Sequence, residues 1–385
     1  MPTSSADDTL ALARQLIACR SLTPDDDGAL ALVEARLAAA GFTCGRVERE
    51  GVANLWAVHG ASGPLVCFAG HVDVVPPGPR DAWMSDPFVA TERDGLLYGR
   101  GAADMKGAVA AMVTAAERLA DGAAGRLAVL LTADEEGDAL HGTAAVVDWL
   151  RHRGQRLDYC IVGEPTSTTV FGDTIKNGRR GSLNGTLTVH GVQCHIAYPE
   201  RGRNAIHAVL PALAELTRLE WDRGNEFFPP TSFQVSNLHA GTGANNVIPG
   251  RLELLFNIRF STESTVAQLK ARVHDVLDQH GVAYDLAWSL SGEPFLTGRG
   301  RLLAAVTDAV RAVTGVTPQP STSGGTSDGR FLAAVAGEVV EFGPLNDSIH
   351  KVNEQVAVAD LGRLSEIYER ATRALWSAGE PARGA

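Results

Sequence analysis

From Leu127 to Leu131 the chain is apolar without a break, and two residues later it enters three consecutive acids and a glycine, Asp134-Glu135-Glu136-Gly137. An uninterrupted apolar run of this length fits a strand buried on both faces, as in a parallel sheet covered by helices. Such a strand has no place for charge inside the layer, so the acids mark its carboxyl end. Successive side chains leaving a strand point in different directions, and neighbouring acids are therefore free to take different tasks. A solvated acidic turn would carry the same residues. The two readings are separated by whether other strands end in the same way.

They do. Leu65 to Ala69 is a second apolar run and delivers Gly70-His71-Val72-Asp73; Tyr159 to Val162 is a third and delivers Gly163-Glu164-Pro165. A strand over Glu338 to Phe342 is followed by a loop containing His350. Asp104, in Gly101-Ala102-Ala103-Asp104-Met105-Lys106-Gly107, precedes an alanine-rich helix predicted over 108–120, where it fits either a helix N-cap or a carboxylate bridging two cations. Ligands bind outside the carboxyl ends of strands in open parallel sheets, so His71, Asp104, Glu135, Glu136, Glu164 and His350 are expected to converge. His71 and Asp73, two apart on extended chain, face the same way, which allows the carboxylate to orient the imidazole.

Two imidazoles with several carboxylates suit Zn²⁺, or Mn²⁺ or Co²⁺, better than calcium, which prefers oxygen alone. No thiolate belongs to the set, which disfavours a closed structural zinc site. If Asp104 bridges, each cation obtains one histidine, one glutamate and the shared aspartate. One carboxylate is then left over, and Glu135, beside Glu136, is placed to act as general base.

At 385 residues the chain exceeds what one core usually supports. Its middle changes character: strand Leu183–Val189, helix Asn204–Leu219, strands Ser232–Asn237 and Arg251–Phe260, helix Thr265–His280 and strand Tyr284–Leu290 give the order βαββαβ of a ferredoxin-like insertion. Helices are also predicted over 7–19, 29–40, 301–313 and 360–377. A net charge of -11 disfavours general nucleic-acid binding, and no stretch is long and apolar enough to span a membrane. The five cysteines are scattered without Cys-x-x-Cys spacing and the first ten residues carry acids but no basic segment. A cytoplasmic protein with reduced thiols is the expectation.

Taken together, Gly70–Asp73, Gly101–Gly107, Asp134–Gly137 and Gly163–Pro165 resemble the signatures of the co-catalytic metallopeptidase family that includes aminoacylases, acetylornithine deacetylases and glutamate carboxypeptidases. Further matches at Ile175–Ser182, Gly243–Pro249, Gly324–Arg330 and Gly343–Glu354 extend the resemblance, in order, over nearly the whole chain. It implies an α/β fold: a mixed-sheet, di-zinc exopeptidase-like catalytic domain in two parts, 1–181 and 294–385, with an inserted ferredoxin-like α+β dimerisation or lid domain at 182–293. It implies that His71 and Glu164 bind one zinc, Glu136 and His350 the other, with Asp104 bridging, Asp73 supporting His71 and Glu135 as base; Co²⁺ or Mn²⁺ could substitute. It also implies that His195, to which the residues alone give only a structural place, reaches across a homodimer to stabilise an oxyanion. Arg179, Tyr198, Asn246, Arg259, Thr326, Ser327 and Asn346 resemble residues that hold a small anionic acyl-amino-acid substrate. Cys194 departs from the pattern, since a glycine commonly precedes the lid histidine. The activity implied is hydrolysis of a linear amide in amino-acid biosynthesis. Deacylation of an acetyl substrate, dipeptide trimming, or a non-catalytic metal-binding relative remain as alternatives.

Overall fold

The computed structural model describes residues 5–377. The chain divides into two compact units, the larger comprising Met1–Gly178, Leu296–Ser321 and Ser327–Ala385, the smaller Arg179–Phe295 with Thr322–Thr326.

In the larger unit eight strands form one mixed sheet, ordered Thr43–Arg49, Val52–His59, Arg126–Thr132, Leu65–His71, Leu157–Val162, Ala336–Glu341, Thr174–Lys176, Gln319–Ser321. Its four central strands, Arg126–Thr132 to Ala336–Glu341, run parallel, with His71 in register with Thr132. Their carboxyl ends therefore share one edge, and His71, the acids after Thr132, Glu164 and the loop to His350 all issue from it. The apolar runs are continuous because these strands are covered on both faces: every residue of Leu65–His71 is buried. Helix Gly107–Ala120 is buried almost throughout. Its alanines let neighbours approach closely, and the Thr114 hydroxyl hydrogen bonds both Thr9 and Ser365 at 2.8 Å, linking it to helices Ser5–Ala18 and Val358–Ser377.

The smaller unit carries a four-stranded antiparallel sheet ordered Ser232–Ala240, Arg251–Phe260, Gly181–His190, Tyr284–Gly292. With helices Ala205–Leu216 and Val266–Gln279 between the strands, this is the ferredoxin-like arrangement. Leu252, Leu254, Phe256, Ile258 and Phe260 are buried and alternate with exposed or partly exposed residues, so one face meets the helices. Helix Val266–Gln279 starts on a capping box between Thr265 and Gln268, which is why the periodic region begins one residue before the helix proper.

Strand Thr43–Arg49 and helix Thr143–His152 are additions to the elements expected from sequence. The strand lies at a sheet edge with only Val47 buried, so no apolar period announces it. Strand Ser232–Ala240 extends beyond Asn237, through a bulge between Val235 and Asn237.

Gly185 faces Phe256 across the antiparallel pair, and a Cβ there would lie 2.1 Å from the ring Cζ. The ring also packs on Phe233 and Trp288, with centroids 4.8 and 5.4 Å away. Gly185→Ala must push that ring out of place and is expected to cost about 1–3 kcal/mol, against about 3–5 for Phe256→Ala. In urea unfolding followed by tryptophan fluorescence, the double variant should lose less than the sum of the two. An unchanged midpoint for Gly185→Ala would contradict this packing.

Candidate active site

Six of the side chains singled out above meet at the carboxyl edge of the parallel strands. His71 Nε2 lies 3.2 Å from Asp104 Oδ1 and 3.8 Å from Glu164 Oε1. His350 Nε2 lies 3.4 Å from Asp104 Oδ2 and 3.0 Å from Glu136 Oε1. Asp104 thus presents one oxygen to each imidazole, and each imidazole has one glutamate of its own. Glu135 joins the same cluster, and ligand atoms of His71, Glu135 and Glu164, like those of His71, Asp104 and Glu136, lie within 4.8 Å of one another.

The three consecutive acids have separated tasks. Asp134 closes its own loop, accepting the Ala139 amide at 3.2 Å and the His141 amide at 2.9 Å. Glu135 and Glu136 both donate their backbone N–H to the Asp73 carboxylate. Asp73 therefore acts differently from the simplest expectation: His71 Nδ1 donates to its backbone carbonyl at 2.9 Å, while its carboxylate stands 3.6 Å from that nitrogen and holds the acidic loop. The carbonyl can only accept, so Nδ1 keeps its proton, and Nε2, facing Asp104 and Glu164, is the nitrogen that a cation would coordinate.

Asp104 is not a helix cap. It lies in a single wide turn, Ala102–Lys106, with φ -124° and ψ 94°, and the helix begins beyond it at Gly107 with no side-chain cap. Met105 seats this turn against the ends of two strands. A Cβ at Gly70 or Gly163 would come within 2.3 or 2.6 Å of Met105 Cε, so a side chain at either position would displace the Met105 thioether. His350 adopts φ 59°, the left-handed region that non-glycine residues seldom occupy.

Electrostatics in this pocket are dominated by crowded acids. Burial and the neighbouring Asp104 and Glu135 push the Glu164 carboxyl well up, and its Oε1 is buried with no hydrogen bond. Burial, together with Asp328, Glu136 and Asp104, raises Glu135 to about 8, although His71 opposes the shift. His71, which burial alone would lower, is raised well above its ordinary value by Asp104 and the other acids. Hydrogen bonds to Asp104 and Glu136 raise His350 to about 10. Accumulated negative charge, an orphaned carboxylate oxygen and two imidazoles whose Nε2 protons a cation would displace fit divalent cations of the zinc type.

Asp328 is not among the residues that the sequence marks for the site. It is buried, its Oδ2 accepts the Thr143 hydroxyl at 2.7 Å, and its Oδ1 has no partner. It lies inside the Gly324–Arg330 motif, in which Thr326 and Ser327 are the residues expected to hold substrate. Ser327 is also buried, and its hydroxyl donates to the Glu341 carboxylate, so it is turned into the unit's interior. Asn346 is partly buried and its backbone N–H donates to the Ser167 carbonyl at 3.0 Å.

His195, Tyr198, Asn246, Arg179, Arg259 and Thr326 belong to the smaller unit. His195 is exposed and pairs in register with Val247, and the Ile196 amide donates to the Asn246 carbonyl at 2.9 Å. Tyr198 packs 5.7 Å from the His195 ring. His195 Nδ1 accepts the Ala197 amide at 3.1 Å, so its neutral ring carries the proton on Nε2. Arg179 donates to the Ser323 carbonyl at 3.1 Å. Arg259 has a buried Nη1 without a hydrogen bond, and its pKa is lowered by burial and by neighbouring Arg180. Cys194 fills space against Gly202, whose Cβ would meet the sulfur at 2.3 Å.

Residues 67–374 match the model of peptidase family M20/M25/M40. The chain is 60% identical over 378 residues to a protein of Aromatoleum aromaticum named succinyl-diaminopimelate desuccinylase, covering 97% of this chain and 98% of that one. A protein of the same name from Bordetella petrii is 61% identical over 364 residues, covering 94% and 96%. Among solved structures, the fold is shared with an M20 family metallo-carboxypeptidase from Sulfolobus solfataricus, at TM-score 0.78 and 17% identity over 96% of this chain and all (100%) of that one. It is shared also with the aminopeptidase PepT of Bacillus cereus, at TM-score 0.79 and 18% identity over 96% and 98%. This chain belongs to peptidase family M20/M25/M40.

Proposed function

We propose that the chain hydrolyses the succinyl amide of N-succinyl-L,L-2,6-diaminopimelate, giving succinate and L,L-2,6-diaminopimelate, a step of diaminopimelate and lysine biosynthesis. The observation that carries this reading is the shared position of Asp104 between two His–Glu pairs with Glu135 beside them. Its substrate is supported by the near-full-length similarity to relatives that carry that name.

On this reading His71 and Glu164 hold one Zn²⁺, His350 and Glu136 a second, and Asp104 both; Co²⁺ or Mn²⁺ suit the same donors. Cations held there would supply Lewis-acid polarisation of the amide carbonyl and a lowered pKa for the attacking water. Glu135 takes a proton from that water as its oxygen bonds to the carbonyl carbon. When the C–N bond breaks, Glu135 passes the proton to the leaving amine nitrogen, so no net proton remains on the chain. Arg179 and Arg259 are suited to the substrate's carboxylates, since a guanidinium matches a carboxylate with two parallel hydrogen bonds. Tyr198, Asn246, Thr326 and Asn346 complete the proposed substrate contacts, and Ser327, whose hydroxyl is held by Glu341, supports Thr326 from behind rather than touching substrate.

His195 is proposed to donate to the developing oxyanion in the neighbouring subunit of a homodimer, a role its Nε2–H supports. Residues 182–293 would form the dimer interface. Strand Ser232–Ala240 lies at a sheet edge and exposes Val235 and Leu238, consistent with a second copy covering it. No helix among the described residues is long and apolar enough to cross a membrane, and a cytoplasmic setting fits the biosynthetic role.

The direct test is hydrolysis of N-succinyl-L,L-diaminopimelate against N-acetylornithine by metal-free protein titrated with Zn²⁺. Succinyl-selective turnover that rises with the cation, and a selectivity that falls in Arg179→Ala, is the expected result. Turnover of the acetyl substrate alone would overturn the substrate assignment. Glu135→Gln should keep both cations and lose about 10²–10⁴-fold in kcat, whereas Glu136→Ala should lose cation content by elemental analysis. Cation loss in Glu135→Gln would refute its role as base.

A pH dependence follows from the same groups. Glu135 and His350 hold their protons up to about 8 and about 10 in the folded chain, against roughly 4.3 and 6.5 when unfolded. Both bind protons more tightly folded than unfolded, so the contribution of these two groups to metal-free stability is present in full at low pH and is lost as pH rises through those folded values, while the lowered Asp104 contributes in the opposite sense. Cation binding needs the deprotonated ligands and so strengthens with pH. The rise in Tm on adding Zn²⁺ should therefore be larger near pH ~8.5 than near pH ~6; a rise that shrinks with pH would contradict the ligand set.

A further inference from the structure

We infer that Glu354 is the positioning residue for Asp104: its buried carboxylate fixes the loop carrying that shared acid against the segment carrying His350. Glu354 is 1% exposed and is not itself directed at the cation cluster; it acts through the backbone. Its Oε1 accepts the amides of Ala103 and Asp104, both at 2.9 Å. Its Oε2 accepts the Gly101 amide at 2.9 Å and Arg100 Nη1 at 2.7 Å. Its own carbonyl accepts the Gly99 amide at 3.0 Å. One residue thus gathers the whole stretch from Gly99 to Asp104.

The need for it follows from the local conformation. The stretch through Asp104 is neither strand nor ordinary helix, so its buried amides cannot all find partners in a regular ladder. A carboxylate offers four lone pairs in charge-assisted hydrogen bonds. Arg100, itself 2% exposed and set 5.3 Å over the Trp83 ring, balances the charge that burial would otherwise make costly. Beyond Glu354 the chain continues as strand Gln355–Ala357, paired antiparallel with Leu96–Tyr98. His350 lies only four residues before Glu354, so one short segment brings both an imidazole and the clamp for the acid it must share. Asp104 has to stand between Nε2 atoms 3.2 and 3.4 Å away on two other segments, and a small displacement of its loop would lengthen at least one of these contacts.

This inference rests on the reading of Asp104 as the shared cation ligand. Glu354→Gln keeps the shape and removes the charge. In either orientation its NH₂ group faces two N–H donors, Ala103 with Asp104 or Gly101 with Arg100. Titrating the metal-free full chain with Co²⁺, followed by visible absorption and calorimetry, should show a Kd at least ~10-fold above wild type and an altered absorption band, with activity recovering toward wild type at excess Co²⁺. A general loosening of the fold would lower the metal-free Tm without changing the spectrum of the loaded protein, and that result overturns the inference, as does an unchanged Kd. If Glu354→Gln does not fold, Glu354→Asp decides by the same titration. It retains the charge facing Arg100 but is one methylene too short to reach both donor pairs; weakened Co²⁺ binding supports the role and wild-type affinity refutes it. Wild-type protein that binds no Co²⁺ would overturn the reading of Asp104 and this inference with it, whereas normal wild-type binding with unchanged variants overturns this inference alone.

Discussion

Mutual repulsion among the carboxylates at one end of the parallel sheet is the constraint on which the rest of the architecture depends. Asp73, Asp104, Glu135, Glu136 and Glu164 share a largely buried pocket, with His71 and His350 as the imidazoles facing the cluster and Lys106 buried near Asp73. Two like charges about 4 Å apart repel by roughly 4 kcal/mol at an effective dielectric near 20. Such a cluster is tolerable only when some acids hold protons or when cations are present. The raised carboxyls of Glu164 and Glu135 express the first condition, and the donor set supplies the second. A group poised between those states is what hydrolysis with a proton-transferring acid requires.

The scaffold meets this constraint by giving each acid a separate anchor. Parallel strands deliver His71, Glu164 and the acidic loop to one edge, and the Asp73 carboxylate pins that loop through two of its amides. Asp134 is consumed in closing the loop, so it cannot compete for a cation. Met105 lies over Gly70 and Gly163, and Glu354 takes up the amides that an irregular turn leaves over. Asp104 is therefore held from below by packing and from behind by hydrogen bonds, which leaves its two oxygens to the imidazoles.

Much of this was legible in the residues. Continuous apolar runs identified the parallel strands, alternation over Arg251–Phe260 identified the inserted sheet, and ligand-type residues after successive strands identified the cluster. What stayed hidden depended on contacts between distant segments. Edge strand Thr43–Arg49 has no apolar period to betray it. The Asp73 carboxylate serves the backbone of Glu135 and Glu136 rather than mainly the His71 ring, a choice that spacing alone does not decide. Glu354 sits 250 residues from the amide of Asp104 that it accepts, and nothing local to His-Lys-Val-Asn-Glu reveals that partner. Asp328 likewise takes its partner, Thr143, from 185 residues away.

The most direct measurement of the central claim is anomalous diffraction from crystals of the zinc-loaded protein, collected on either side of the zinc absorption edge. Two anomalous peaks should appear in each chain, one within coordination distance of His71 and Glu164 and the other of His350 and Glu136, with Asp104 contacting both. A single peak, or peaks that leave Asp104 uncoordinated, would contradict the account.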